Sequence, residues 1–216
     1  MIETRFERKW VVQNTYISQL ISALKVSNFE FSKHHNSRWV NSIYYDDMFN
    51  NSVYQNLNGD QKKQKVRLRW YGEKKILNPR LEIKNKNMFL TTKTIKKIFF
   101  SSKYPDSKIL PDINDQVKSI SPLLINYSPK TSTHYYRHYF ISKNKKIRAT
   151  IDEKIYYLSI NNLKIDLFQK KDFNLILELK YNKIHDDYVR KNFSNNNSLR
   201  ISKNSKFINS FFFNKW

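Results

Sequence analysis

The sequence predicts an α+β fold: an antiparallel β-barrel that forms a tunnel, with helices packed outside. Two observations lead there. Basic residues alternate with apolar ones inside strand-like runs, so that Lys65-Val-Arg67-Leu-Arg69-Trp-Tyr71 puts Arg67 and Arg69 on one face and Val66, Leu68 and Trp70 on the other. The same layout recurs in Arg80–Lys86, Lys146–Asp152 and Ile176–Lys180, with acids set among the cations. One such strand is ordinary; four with mixed charge describe a lumen. A closed barrel turns these faces inward around an anion and packs its apolar faces against helices.

The elements follow in order. A strand is expected from Thr4 to Val12, with Arg5, Glu7 and Lys9 on one face and Phe6, Arg8, Trp10 and Val12 on the other. A helix follows, with Asn14 as its N-cap and Ile17, Leu20, Ile21 and Leu24 at the i, i+3, i+4, i+7 spacing of one apolar stripe. Further strands are expected at Trp39–Tyr45, Val66–Tyr71, Arg80–Lys86, Lys93–Phe100, Thr133–Ile141, Ile147–Tyr157 and Leu175–Tyr181, joined mostly as hairpins. Between Tyr104 and Lys130 four prolines punctuate a segment with one short helix around Asn114–Ile120. The charged alternation lies on both sides of it, so residues 1–216 read as a single domain. A short helix near Asp186–Phe193, a polar loop at Asn192–Asn197 and a helix opening near Ser205 complete the chain.

Composition narrows the function. The 216 residues carry 40 Lys and Arg against 18 Asp and Glu, a formal charge of +22, which favours a polyanionic partner: a phosphate compound, nucleic acid or an acidic membrane surface. Aromatic residues at 15% argue against disorder. The absence of cysteine excludes disulfides, thiolate metal sites and cysteine nucleophiles. The charged N-terminus lacks the apolar core of a signal peptide, and no apolar run approaches the ~20 residues that span a bilayer. The expectation is a cytoplasmic protein, with a peripheral place at the inner membrane face as a further option.

Only two glycines occur, Gly59 and Gly72. A Walker loop or a dinucleotide fingerprint needs several closely spaced glycines, so neither is present. Phosphate binding must therefore use side-chain cations, for which the planar fork of Arg is suited. His34-His35 reads as an exposed loop, and His134, His138 and His185 lack metal-ligand spacing.

The ordered motifs Glu7-Arg-Lys9-Trp, Ser42-Ile-Tyr-Tyr-Asp46, Arg67-Leu-Arg69-Trp-Tyr-Gly72, Leu81-Glu-Ile-Lys84, Tyr135-Tyr-Arg137, Arg148-Ala-Thr-Ile-Asp152, Leu177-Glu-Leu-Lys180 and Ser205-Lys-Phe207 run through almost the whole chain. In order and number they resemble the polyphosphate polymerase domain of the vacuolar transporter chaperone (VTC) family, in its stand-alone prokaryotic form, one of the triphosphate tunnel metalloenzymes. The resemblance implies a tunnel that binds ATP and a divalent metal, Mn²⁺ or Mg²⁺, and transfers the terminal phosphoryl group to a growing inorganic polyphosphate chain. By the same resemblance Arg67, Arg69, Lys84, Arg137, Arg148 and Lys206 contact the reacting phosphates. Lys9, Tyr135, Lys180, Lys203 and Ser205 bind the substrate, and Glu178 holds the metal. Glu7, Glu82 and Asp152 read as charge-balancing partners. Tunnel triphosphatases carry a first-strand Glu-x-Glu-x-Lys motif, whereas this row reads Arg5-Phe-Glu7-Arg-Lys9, a departure that leans toward the polymerase branch.

The competing readings are a triphosphatase on the same fold, a phosphate-chain sensor without turnover, and a nucleic-acid binder using abundant Tyr and Phe for stacking. A tunnel enclosing its Arg residues makes nucleic acid the weaker of these partners, and a membrane-protein partner for polyphosphate handling is compatible with the basic exterior.

Overall fold

The computed structural model describes residues 5–13, 15–73, 77–88, 90–99, 108, 110–165, 169–194 and 201–213. Among the described residues, ten strands and five α-helices follow one another: β1 (Arg5–Val12), α1 (Ile17–Val26), β2 (Ser32–Asp46), α2 (Asn51–Asn58), β3 (Lys62–Tyr71), β4 (Leu77–Asn87), β5 (Leu90–Lys97), α3 (Leu110–Ile120), β6 (Ser128–Ile141), β7 (Arg148–Asn161), β8 (Lys164–Ile165), β9 (Lys170–Asp172), β10 (Leu175–Asn182), α4 (Asp186–Val189) and α5 (Lys206–Phe213). The hydrogen-bonded strand order is β1-β10-β7-β6-β2-β3-β4-β5, with β8 and β9 on β7. The class is α+β on an antiparallel sheet, as expected, although the ladder is a path ending at β1 and β5 rather than a hydrogen-bonded ring.

The chain divides into two compact units, the first comprising Met1–Arg38, Tyr135–Ile155 and Asp172–Asn204 and the second Trp39–His134, Tyr156–Lys171 and Ser205–Trp216. In the first, β1 pairs β10 and β10 pairs β7, so Trp10 faces Leu177 and Leu177 faces Ile151 on one side of the sheet. That side is the core, where Leu20 and Leu24 of α1 are buried with Val12, Ala149, Leu179 and Phe193. The Trp10 indole is fully buried and lies 5.1 Å from the Phe193 ring. Truncating it to Ala is expected to cost about 3–5 kcal/mol. Asn14 lies outside the described residues; α1 opens at Ile17, with the Tyr16 amide donating to Gln19 Oε1 at 3.2 Å.

In the second unit Ile43, Leu68 and Leu81 stand side by side across β2, β3 and β4, and Leu110, Ile113 and Val117 of α3 cover them. The α2 helix was not legible in the sequence, because Asn-rich Asn51–Asn58 has weak helix propensity and no clear apolar stripe. It forms because the buried Asp46 carboxylate accepts from the amides of Ser52 (3.0 Å) and Val53 (2.9 Å), satisfying orphan donors of the first turn. Gly59, at φ +80°, closes the other end by donating to Gln55 O. Ser42–Asp46 is thus a strand end with a structural task. On α5, Phe207 and Phe211 pack on Tyr44 and Val53.

Several boundaries differ from expectation: α3 begins at Leu110, β3 at Lys62 and β6 at Ser128, each four or five residues earlier than expected. His34 and His35 belong to the exposed start of β2 rather than to a loop, because the strand extends to Ser32. The segment near Asp186 is a 3-10 turn, one turn of α-helix and a π-turn through Ser194, so Asn192 falls in that turn while the rest of the expected polar loop, from 195 to 197, lies outside the described residues. β5 ends at Lys97, and Phe100 also lies outside the described residues.

Candidate functional site

The period-2 alternation places those expected site residues that lie on strands on the sheet face opposite each core. In the first unit the register sets Glu7 beside Lys180, Lys9 beside Glu178, and Glu178 beside Thr150. The four charged side chains close a ring. Lys9 Nζ lies 2.7 Å from Glu7 Oε1 and 3.5 Å from Glu178 Oε2, while Lys180 Nζ lies 2.6 Å from Glu178 Oε1 and 3.5 Å from Glu7 Oε2. Burial alone would raise the Glu178 carboxyl, but Lys180, Arg137 and Lys9 overcome it and hold the group far below the usual carboxylate range. Burial likewise opposes the charged form of Lys9, and the Glu178 and Glu7 carboxylates reverse the effect and raise it.

Arg137 on β6 belongs to the same cluster. Its guanidinium grips the fully buried Asp152 through two hydrogen bonds, Nη2 to Oδ2 at 2.7 Å being one, and lies 5.1 Å from the centroid of the buried Tyr135 ring. Despite burial, Asp152 raises Arg137 well above the ordinary guanidinium range. Arg148 stands exposed opposite Lys180. The exposed Lys203 is brought to β1 by a bridge between Ile201 and Trp10 and by the Ser202 amide donating to Lys9 O at 2.8 Å.

In the second unit β3, β4 and β5 carry the other half of the expected set. Glu82 accepts from Arg67 Nε at 2.7 Å and from Lys93 Nζ at 2.9 Å, with Arg69 Nη1 3.9 Å away. Burial raises this carboxyl, but Arg67, Arg69 and Lys93 carry it down to about 2. Arg69 Nε also donates to Ser42 Oγ at 3.4 Å. Lys84 is exposed on β4 between Lys65 and Lys93. Lys65 Nζ donates to Ser205 Oγ at 3.2 Å, tying the residue before α5 to β3, and Lys206 opens that helix.

Glu7, Glu82 and Asp152 are each ion-paired to lysine or arginine. The sequence did not mark Lys65 and Lys93 as site residues, since their alternation is visible in it but their partners depend on pairings across β3, β4 and β5. The histidines stay structural: burial pushes His134 down to about 4, with Nδ1 2.7 Å from Asn41 Oδ1, and His138 bridges Ser37 and Glu153 at 2.8 Å each.

No group of three or more acids and histidines that could cage a metal exists among the described residues. Glu178 nonetheless fits a cation shared with phosphate: it is buried and ionised, and its Oε1 has the Lys180 contact without a well-directed hydrogen bond, leaving lone pairs for a hard metal. Glu7, paired to the same two lysines, is the more exposed of the two acids. No helix among the described residues is long and apolar enough to cross a membrane.

No curated protein sequence matches the chain. Among solved structures, a candidate adenylate cyclase from Vibrio parahaemolyticus is similar with a TM-score of 0.52 and 12% identity, covering 95% of this chain and 96% of that one. A candidate adenylyl cyclase from Hippeastrum, described as having a dominant triphosphatase activity, gives 0.54 and 9%, covering 96% and 95%. A candidate adenylate cyclase from Bacillus halodurans gives 0.53 and 14%, covering 97% and 98%. At these identities the likeness is one of fold, the triphosphate tunnel fold. The profile of the VTC domain matches residues 4–213 of this sequence, and the chain belongs to the VTC domain family.

Proposed function

We propose that this protein is a polyphosphate polymerase, transferring the γ-phosphoryl group of ATP to the end of an inorganic polyphosphate chain. The observation that carries the reading is the set of cations on the charged sheet faces, in a member of the VTC domain family. In this reading Arg67, Arg69, Lys84, Arg137, Arg148 and Lys206 contact the reacting phosphates. Lys9, Tyr135, Lys180, Lys203 and Ser205 hold the chain, and residues 1–216 act as one domain.

The chemistry asks little covalent work of the protein. A terminal oxygen of the acceptor chain, already ionised at neutral pH, attacks the γ-phosphorus. The bond from that phosphorus to the β,γ-bridging oxygen breaks, and ADP leaves with the electron pair. No protein base is required, and the acids Glu7, Glu82 and Glu178 are each engaged by lysine or arginine. The protein's contribution is to hold donor and acceptor in line and to set cations where charge accumulates. Glu178 would hold Mn²⁺ or Mg²⁺, which would supply positive charge to offset that of the phosphates.

The second reading is a triphosphatase, favoured by the dominant activity of the Hippeastrum protein that shares the fold. One experiment separates them: purified protein with ATP and Mn²⁺, products resolved on a gel that separates phosphate chains, with Arg67→Ala as control. A ladder of long chains, reduced roughly 10²–10³-fold in the variant, is the expected result. ADP and free phosphate without a ladder select the triphosphatase, and unchanged ATP overturns both.

A further inference from the structure

The cations of the β3–β5 face extend beyond the residues that a triphosphate would occupy. Arg67 and Glu82 form one cross-strand row, and on one side of it stand Lys65, Lys84 and Lys93 directly opposite one another, followed by Lys63 opposite Lys86. Glu82 is the one acid on these three strands, and its two oxygens are taken by Arg67 and Lys93. Like charges placed opposite each other across strands destabilise a sheet, a cost that an anion lying over the Lys63–Lys86 pair would offset. At roughly 3.3 Å per residue the face from Lys63 to Arg69 runs about 20 Å, well beyond the reach of three linked phosphates. β5 is exposed along its whole length, which leaves this face open to a long ligand.

We propose that Lys63 and Lys86, continuing the Lys65–Lys84–Lys93 row, form a distal subsite for a linear inorganic polyphosphate, gripping the chain several phosphates away from its reacting end. The proposal rests on the polyphosphate reading above and adds to it a means of retaining long chains. Polyphosphate suits the subsite better than single-stranded nucleic acid. Base-stacking platforms need aromatic side chains among the cations, and from Lys63 to Arg69 this face of β3 presents only Lys and Arg.

The test compares binding of tripolyphosphate and of long-chain polyphosphate to the wild-type protein and to a Lys63→Gln/Lys86→Gln variant, over a range of salt concentrations. The expected result is that the variant keeps tripolyphosphate affinity within about twofold, loses about tenfold for the long chain, and lowers the salt slope for that chain by about 1 to 2. Equal losses for both ligands, or an unchanged long-chain affinity, overturn the subsite alone. Wild-type protein that binds neither ligand overturns the functional reading and the subsite with it. Single-stranded DNA of matched charge displacing the long chain as well as polyphosphate itself would replace the proposed occupant with nucleic acid.

Discussion

The two charged faces are built from the same alternation and differ in their balance. On the first unit Lys9, Arg137, Arg148 and Lys180 are set among Glu7, Asp152 and Glu178, most of them in direct ion pairs. On β3–β5 of the second unit, rows of cations flank the single acid Glu82. The nearly neutral first cluster holds its members in direct ion pairs, with Glu178 and Asp152 buried inside it. An excess of cations instead stores repulsion that a bound polyanion relieves. The contrast predicts that removing a paired cation weakens the first unit, whereas removing one from an all-cation row relaxes the second.

The largest expected effect is on the first unit. Arg137→Ala leaves the fully buried Asp152 carboxylate without its guanidinium, and removal of one partner of a buried pair costs about 3–5 kcal/mol. Chemical denaturation reads this directly, and a loss below about 1 kcal/mol would contradict the role assigned to the pair. Arg137→Ala/Asp152→Asn should recover part of the stability but none of the phosphoryl transfer.

Acid comes next. Glu82 has an ordinary carboxyl value of 4.5 and is held at about 2 in the fold, so it supplies stability above 4.5 that disappears as the pH falls toward 2. Glu178 is shifted in the same direction. Unfolding free energy should therefore fall through this window, and Glu82→Gln should flatten that fall. A variant with an unaltered acid slope would show that Glu82 is not held by its cations.

The smallest effect separates the units most directly. Arg80 stands opposite Arg69 on β3 and Lys97 on β5, so Arg80→Gln removes a like-charge row and should raise stability by a few tenths of a kcal/mol at low salt. The gain should vanish as salt is added. Destabilisation at low salt would mean that Arg80 has an attractive role.

Much of this was legible in the chain. The alternation at Arg67 and Arg69 put both on the charged face, and the i, i+3, i+4, i+7 stripe of Ile17, Leu20, Ile21 and Leu24 located α1. These are local periodicities, set by strand and helix geometry alone. The α2 helix was invisible because it depends on Asp46 and Gly59 at its two ends and on the packing of Val53 against Phe207 and Phe211, distant in sequence. Lys93 could be counted as a cation in sequence, but nothing local marks it as the partner of Glu82, eleven residues away across the β4–β5 hairpin.

The sequence by itself determined the strand faces, the cation excess and the dependence on side chains rather than glycine loops for holding phosphate, because composition and period-2 patterning are properties of the chain. Only the tertiary structure decided which charges meet. The β1–β10 register brings Glu178 between Lys9 and Lys180, and β6 delivers Arg137 to Asp152. Coulomb energy depends on distances of a few ångströms, and burial sets how much of it water screens away, so the ionisation of Glu178 and the repulsion along β3–β5 exist only once the strands are in register.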